Sequence, residues 1–161
     1  MVWALLPLKD FVNAKQRLSG VLSPQERRHF FHCMVEDVLD VLTVHEAIEQ
    51  TVIVSDDPSA ELLAEHYGVR FWSEQSLPGH GLNAAVTGIA SELKSRGVTD
   101  LLVVHGDLPL LDAEQINHLL AAHKPAPSVT VAPDRHRLGS NCLLCSPPDV
   151  IDFQYGENSY Y

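Results

Sequence analysis

Short apolar runs alternate with amphipathic stretches along the chain. Each run has the length and continuous apolar character of a strand that is buried on both faces. The predicted strands cover 2–8, 51–55, 69–72, 101–105, 128–132 and 141–145. Because helical patterns separate most of them, the sequence predicts an α/β fold of three layers (α/β/α) around a mostly parallel, Rossmann-like sheet.

Capping signals predict where the helices begin. Ser23-Pro24-Gln25-Glu26 has a serine N-cap, a proline at the first helical position and a glutamate that completes a capping box. Asp57-Pro58 and Asp112 start two further helices, and another helix follows the loop at 73–81. An apolar stripe predicts the core-facing side of the first helix: Phe30, Met34, Val38 and Leu42, with Phe31, Val35 and Leu39 beside them.

Length and composition predict one domain, 1–161. The chain has 161 residues, of which 45% are hydrophobic and 20% charged, as in ordinary globular proteins. No apolar run approaches the roughly 20 residues that cross a bilayer, and no basic segment precedes the first apolar run, so we expect a cytosolic protein with no membrane partner. The last residues, GENSYY, form no closing element, which predicts that a C-terminal element of the domain is missing.

Cys142 and Cys145 form a C-x-x-C pair among three cysteines. An odd number of cysteines does not make a disulfide framework. Positions i and i+3 of a strand face opposite sides of a sheet. We therefore expect no metal site and no redox pair here, unless the segment turns.

The charge is unevenly distributed. The net charge of −10 disfavours a nucleic-acid partner. Residues 1–28 nevertheless hold five basic side chains against two acidic ones, for a local charge of +3. Two interpretations stay open from charge alone: a site for a small anionic ligand, or a solvated loop and helix start.

Ligands of open parallel sheets bind beyond the carboxyl ends of the strands. The loop after the first strand offers Lys9, Lys15 and Arg17, which suit phosphate groups. It contains neither a Walker A loop nor a dinucleotide fingerprint. The basic loop therefore predicts phosphate binding only weakly.

Three residues after later strands have two interpretations each. Asp107, beyond the fourth strand, is a candidate Mg²⁺ ligand or an aspartate that accepts hydrogen bonds from loop N–H groups. Asp134 is a weaker candidate, because Arg135 is available to pair with it. His105 has the position of a hydrogen-bonded histidine at a strand end rather than of a catalyst. No motif for covalent catalysis occurs.

Six motifs in order resemble the guanylyltransferases of coenzyme F420 biosynthesis, which share the nucleotide-diphospho-sugar-transferase-like fold. The resemblance runs over essentially the whole chain, with Ser140 where that family usually has threonine. The motifs are Pro7-Leu8-Lys9 with Ala14-Lys15-Gln16-Arg17-Leu18-Ser19; Glu26-Arg27 with Asp37-Val38-Leu39; Gly81-Leu82-Asn83-Ala84-Ala85; Gly106-Asp107-Leu108-Pro109-Leu110-Leu111; Pro133-Asp134 with Gly139-Ser140-Asn141; and Phe153 to Ser159.

The resemblance implies that the phosphate of a small acid attacks the α-phosphorus of GTP and that pyrophosphate leaves. The implied acceptors are 2-phospho-L-lactate, phosphoenolpyruvate and 3-phospho-D-glycerate. Lys15, Arg17 and Asp107 are the implied catalytic residues, and Lys9, Gly81 and Asn83 join them in binding the nucleotide. Two further sets complete the implied site: Ser140, Gly156 and Ser159 for the acceptor, and Asp107 and Asp134 for Mg²⁺.

Two other functions stay open. One is a different nucleotidyltransferase of this fold, of the molybdenum-cofactor or sugar-phosphate type; these commonly open with a glycine-rich loop, which the basic first loop is not. The other is a ligand-binding domain without turnover. The sequence gives no oligomeric state, and a homodimer is compatible with it.

Overall fold

A computed structural model describes residues 1–155. It contains six strands: β1 (Val2–Pro7), β2 (Ile48–Val54), β3 (Arg70–Trp72), β4 (Asp100–Val104), β5 (Ser128–Pro133) and β6 (Ser140–Ser146). Four helices connect them: α1 (Pro24–Leu42), α2 (Pro58–Tyr67), α3 (Gly81–Ser95) and α4 (Ala113–Ala122). Short 3-10 turns at Gln16–Leu18 and Glu74–Ser76 lie within the two long loops.

The strands form one sheet in the order β3-β2-β1-β4-β6-β5. Strands β1 to β4 are parallel to one another, β6 is antiparallel to β4, and β5 is antiparallel to β6. Among the six strands of residues 1–155, only β6 therefore runs against the others, which confirms the mostly parallel sheet. Because β6 is reversed, it begins at the edge where the parallel strands end.

The predicted capping signals are present at the helix starts. Glu26 N donates to Ser23 Oγ, and Ser23 N donates to the Glu26 carboxylate, which completes the capping box. Asp57 caps α2 and Asp112 caps α4. One position in the predicted core stripe of α1 is wrong: Phe30 is 44% exposed, because it lies beyond the edge of the helix face that packs on the sheet.

The core has two parts, one on each face of the sheet. Helices α1, α2 and α4 cover one face, and α3 covers the other. Cys142 belongs to the first part and Cys145 to the second, as the period of a strand predicts. Burial raises the pKa of each thiol to about 12.

A polar network lies at the amino-terminal edge of β4. The Ser146 hydroxyl donates to Oδ1 of Asp100, and the Thr99 hydroxyl donates to Oδ2 at 2.6 Å. The N-terminal ammonium lies 3.6 Å from the same carboxylate. On the far side of Ser146, the His123 ring is hydrogen-bonded to the hydroxyls of Ser128, Thr130 and Ser146.

Within residues 1–155, no helix is long and apolar enough to cross a membrane.

Candidate functional site

The basic first loop and the end of β4 meet at the carboxyl edge of the sheet. Lys15 Nζ lies 2.8 Å from Asp107 Oδ2. Strands β1 and β4 are neighbours, so the loops that follow them leave the sheet side by side. Two residues that the sequence predicts for one site, 92 positions apart, are thus in contact.

Local hydrogen bonds shape the first loop. The Asp10 carboxylate accepts from Val12 N at 2.7 Å and from the Asn13 side chain at 2.6 Å. Buried Phe11 anchors the loop to α2, because its N–H donates to Asp57 Oδ2 at 2.8 Å. Lys15 has a left-handed backbone (φ 55°, ψ 42°), which is unusual for a residue with a side chain. This strained conformation accompanies the contact of Lys15 with Asp107.

Gly106 allows the loop after β4 to pass close to the first helix. A Cβ atom at this position would lie 2.5 Å from Leu8 Cδ2 and 3.1 Å from Val35 Cγ2. No larger residue fits without moving buried side chains. Close packing therefore explains the glycine of the Gly106-Asp107 motif. The same packing fixes the position of the backbone that leads into Asp107.

Two adjoining cavities form a cleft along this edge. The larger, about 830 Å³, lies beyond β1, β2 and β3, and the smaller, about 450 Å³, lies between the first loop and the end of β4. Lys9 and Tyr155 line both cavities. The predicted residues Gly81 and Asn83 line the larger cavity, and Lys15 and Asp107 line the smaller.

Acidic side chains beyond β2 and β3 face the larger cavity. Burial raises the pKa of the Glu74 carboxyl, repulsion from Asp56 adds to that increase, and the charge of Lys9 opposes it. Asp56 accepts from the Ser73 hydroxyl and from Gln75 N through one oxygen. The larger cavity thus has carboxylates at one end and Lys9 toward the smaller cavity.

His105 is partly buried and lines the smaller cavity. Its ring packs edge-to-face on Tyr155, with centroids 5.1 Å apart. Burial lowers the pKa of His105, whereas the charge of Asp107 and a hydrogen bond with the Ser140 backbone raise it. The interpretation of His105 as a hydrogen-bonded histidine at a strand end, rather than a catalyst, stays a prediction.

The loop between β5 and β6 is organised around Asp134. Its carboxylate accepts from the backbone N–H groups of His136, Leu138 and Gly139 at 2.9 to 3.1 Å, and these bonds lower the pKa of Asp134. The expected alternative pairing with Arg135 is wrong: within the described residues, Arg135 donates to the His136 ring instead. The loop delivers Ser140 to the first position of β6, at the carboxyl edge.

The Asn83 side chain is hydrogen-bonded to the backbone of the chain segment after β6. Its amide nitrogen donates to Tyr155 O at 3.1 Å, and its amide oxygen accepts from Tyr155 N at 2.9 Å. Asn83 was predicted to bind the nucleotide, and that contact stays a prediction. The observed hydrogen bonds give the residue a structural role that its position in the motif did not indicate.

The structure does not bring every predicted residue into the cleft. Arg17 lies exposed on the turn at Gln16–Leu18, outside the cavity walls. Gly156 and Ser159 fall outside the described residues. Conversely, several residues that line the larger cavity had no predicted site role, among them Arg28, Glu74 and Tyr155. Of these three, Arg28 belongs to the basic stretch 1–28 and Tyr155 to the motif from Phe153 to Ser159, whereas nothing in the sequence indicated Glu74.

The residues present suit a divalent cation that is shared with a substrate. Among residues 1–155, no group of three or more His, Cys, Asp or Glu side chains is placed to hold a metal ion. Mg²⁺ is typically held by one or two carboxylates together with substrate phosphates. Asp107 offers one carboxylate beside the basic loop, whereas the Asp134 oxygens already accept backbone hydrogen bonds.

Comparison with known proteins identifies relatives over the whole chain. The model of the family described as "Guanylyl transferase CofC like" matches residues 2–161. The phosphoenolpyruvate guanylyltransferase of Sphaerobacter thermophilus is 34% identical over 98% of this chain and 74% of its own length. That of Conexibacter woesei is 34% identical over 98% of this chain and 70% of its own length.

Solved structures show the same fold. A protein described as a nucleotide-diphospho-sugar transferase, from Desulfovibrio desulfuricans G20, has a TM-score of 0.73 and 15% identity, over 99% of this chain and 71% of its own. Glucosyl-3-phosphoglycerate synthase from Mycobacterium tuberculosis, in a complex with Mn²⁺ and UDP, has a TM-score of 0.61 and 11% identity, over 91% of this chain and 57% of its own. At these identities, the likeness concerns the fold.

Proposed function

Because the chain belongs to the CofC-like guanylyl transferase family, we propose that it transfers GMP from GTP to the phosphate of phosphoenolpyruvate in coenzyme F420 biosynthesis. The contact between Lys15 and Asp107 carries the proposal, since it joins the cation predicted to bind phosphate and the carboxylate predicted to hold a metal ion. The names of the two relatives support phosphoenolpyruvate among the three acceptors that the resemblance implies. A cytosolic location stays a prediction.

The proposed reaction needs positioning and charge neutralisation more than an acid and a base. A phosphate oxygen of the acceptor bonds to the α-phosphorus of GTP, and the bond from that phosphorus to the oxygen bridging to the β-phosphorus breaks. Pyrophosphate leaves with the bonding electrons. Because the acceptor phosphate is already an anion, no general base is required.

The cleft residues would divide this work. Lys9 and Lys15 would neutralise the triphosphate, with Arg17 reaching it from the exposed turn. Asp107 would hold a divalent cation, which supplies charge neutralisation on the GTP oxygens when bound. Mg²⁺ is the cation that we propose, and Asp134 stays a predicted second ligand. Ser140, Gly156 and Ser159 are the predicted acceptor contacts.

We propose that the Glu74 carboxylate recognises the guanine base of GTP. Guanine presents two adjacent donors, N1–H and the N2 amino group, and one carboxylate accepts from both. Adenine presents an acceptor at N1, so the same carboxylate would leave an unpaired polar group on each side. Glu74 lines the larger cavity together with Lys9 of the first loop.

The test combines nucleotide and acceptor competition. Purified protein with Mg²⁺ is given GTP, ATP and CTP together with equimolar phosphoenolpyruvate, 2-phospho-L-lactate and 3-phospho-D-glycerate, and products are identified by mass spectrometry. The expected product is the guanylylated phosphoenolpyruvate, with one pyrophosphate per product. Preference for another acid would overturn the acceptor, and equal use of ATP would overturn guanine selection. Binding of GTP without any product would identify a ligand-binding domain.

Glu74→Gln separates base recognition from chemistry. The amide keeps one acceptor and replaces the other with a donor, so we expect the KM for GTP to rise about tenfold or more. Glu114→Gln, at an 81% exposed side chain on α4, is the matched control. Because GTP would bind the ionised form of Glu74, its affinity should fall as the pH is lowered toward the raised pKa of that carboxyl. Unchanged GTP kinetics in Glu74→Gln would remove Glu74 from the base site.

A further inference from the structure

Arg27 is a buried cation near the start of α1. Only 6% of the residue is exposed. Within residues 1–155, its Nε has no hydrogen-bond partner and no carboxylate pairs with its guanidinium. A buried charge that lacks a counterion costs free energy of folding. Stability alone therefore does not account for an arginine at this position.

The Arg27 side chain holds the end of the basic first loop. Its Nη1 donates to Leu22 O at 3.0 Å. At the next residue of the loop, Ser23 N donates to the Glu26 carboxylate at 2.7 Å. Two adjacent residues of α1 thus bind two adjacent residues of the incoming chain, and together they fix the point where the loop joins the helix.

Two backbone hydrogen bonds connect this point to Lys15. Leu22 N donates to Leu18 O at 2.9 Å, and Leu18 N donates to Lys15 O at 2.9 Å. Residues 12–22 belong to no α-helix or strand, so these turn bonds and the anchors at the ends of the loop determine its shape. The contacts of Arg27 therefore lead, bond by bond, to the backbone of Lys15.

Lys15 depends on such support because its backbone is strained. Its φ of 55° and ψ of 42° are left-handed, and a strained conformation persists only where surrounding contacts hold it. In this conformation Lys15 Nζ lies 2.8 Å from Asp107 Oδ2. Arg27 itself lies outside the walls of both cleft cavities.

We propose that Arg27 is a positioning residue that holds the basic loop in the conformation in which Lys15 meets the phosphates of GTP. The inference rests on the proposed guanylyl transfer, which places Lys15 at the triphosphate. Arg27 would act through Lys15 and without touching the nucleotide.

The test measures GTP affinity without turnover. Isothermal titration of the full chain with GTP and Mg²⁺ compares the parent with Arg27→Met, Arg27→Lys, Lys15→Gln and the double variant Arg27→Met/Lys15→Gln. Methionine has no N–H group on its side chain, whereas lysine keeps the charge and a donor. Arg96→Met, at a 51% exposed side chain at the end of α3, is the matched control. Hydrogen exchange at the amides of Leu18 and Leu22 and a melting curve use the same preparations.

We expect Arg27→Met to weaken GTP binding about fivefold, since Lys15 then leaves its strained conformation. Lys15→Gln should weaken it about tenfold, and adding Arg27→Met should change it less than twofold further, because the arginine acts through the lysine. Arg27→Lys and Arg96→Met should stay within about twofold of the parent. In Arg27→Met the Leu18 and Leu22 amides should exchange faster, whereas the thermal midpoint should not fall, because a buried cation without a carboxylate partner is removed.

Unchanged GTP affinity in Arg27→Met would overturn the inference, whatever happens to the melting curve. So would an equal loss of affinity with and without Lys15→Gln, which would show that Arg27 acts independently of Lys15. Unchanged exchange at Leu18 and Leu22 would show that Arg27 does not hold the loop. If Arg27→Met does not fold, Arg27→Gln also removes the charge and carries the same comparisons.

The parent chain separates this inference from the proposed function. Binding of GTP by the parent with no product would overturn guanylyl transfer alone, because the titrations need no turnover. No binding of GTP by the parent would overturn both.

Discussion

The ammonium of Lys15 and the carboxylate of Asp107 lie 2.8 Å apart and join the loop after β1 to the loop after β4. The two side chains are 28% and 45% exposed, respectively. An ion pair in such a setting contributes about 0–1 kcal/mol to stability, since water screens it. The pair thus has little value for folding, and the strained backbone of Lys15 is consistent with a functional reason for it.

Asp107→Asn should keep the fold and remove turnover. The amide has the same shape but lacks the charge that would hold a divalent cation, so we expect kcat/KM to fall at least about 100-fold. The thermal midpoint should change by no more than a few degrees. Steady-state rates at saturating Mg²⁺ and a melting curve provide the measurement. Near-normal turnover would assign Asp107 to loop capping alone.

Lys15→Gln should weaken the binding of GTP and leave the fold largely unchanged. Removal of one cation from the triphosphate site should raise the KM for GTP about tenfold, and Arg17→Gln should act in the same direction if the exposed turn closes on the nucleotide. The double variant Lys15→Gln/Asp107→Asn measures their coupling. Additive effects on kcat/KM would show that the two groups act independently despite their contact.

Ser140→Ala should affect the acceptor and not the nucleotide. A hydroxyl that bonds a charged group contributes roughly 1.5–3 kcal/mol, so the acceptor KM should rise about tenfold to a hundredfold. Ser140→Thr keeps the hydroxyl and should be tolerated. Ser159→Ala should behave like Ser140→Ala. Separate calorimetric titrations with GTP and with phosphoenolpyruvate are the measurement, and normal acceptor binding by both alanine variants would remove these serines from the site.

The lowered pKa of Asp100 should make the free energy of unfolding decrease at acidic pH. Burial raises the pKa of Asp100, but the hydrogen bonds from Ser146 and Thr99 and the N-terminal charge outweigh it and lower the pKa below the ordinary value of 3.8. The unfolded chain therefore takes up the proton first, so stability that is present above pH 3.8 is lost as the pH falls through the lower native pKa. Urea unfolding between pH 7 and pH 2.5 should show a shallower acid loss for Asp100→Asn than for the exposed control Asp37→Asn.

The three cysteines should differ in reactivity. Cys142 and Cys145 are buried, and burial raises the pKa of each to about 12, so almost no thiolate is present at pH 8. Cys33 is partly exposed on α1. A thiol reagent should modify one cysteine in the native protein and three in urea. Rapid native modification at Cys142 or Cys145 would contradict the buried strand positions.

The sequence pattern predicted local structure correctly where that structure depends on residues close together in the chain. The capping box at Ser23 and the opposite orientation of Cys142 and Cys145 follow from helix and strand periods, and the structure confirms both. The pattern was less informative where tertiary contacts determine which residues are buried and where a strand begins. Phe30 continues the apolar stripe of α1 but lies outside the packed face, and β2 begins at Ile48 because Val2 pairs with it across the sheet.

Motif order alone was enough to identify the family, and the period of the apolar runs was enough for an α/β sheet that is mostly parallel. Both are properties of residues close together in the chain. Strand order, the reversal of β6 and the contact of Lys15 with Asp107 depend on pairings between distant segments, which no local pattern specifies. The same holds for Asn83, whose partner lies 72 positions away: only the folded chain shows that its amide pairs with the Tyr155 backbone.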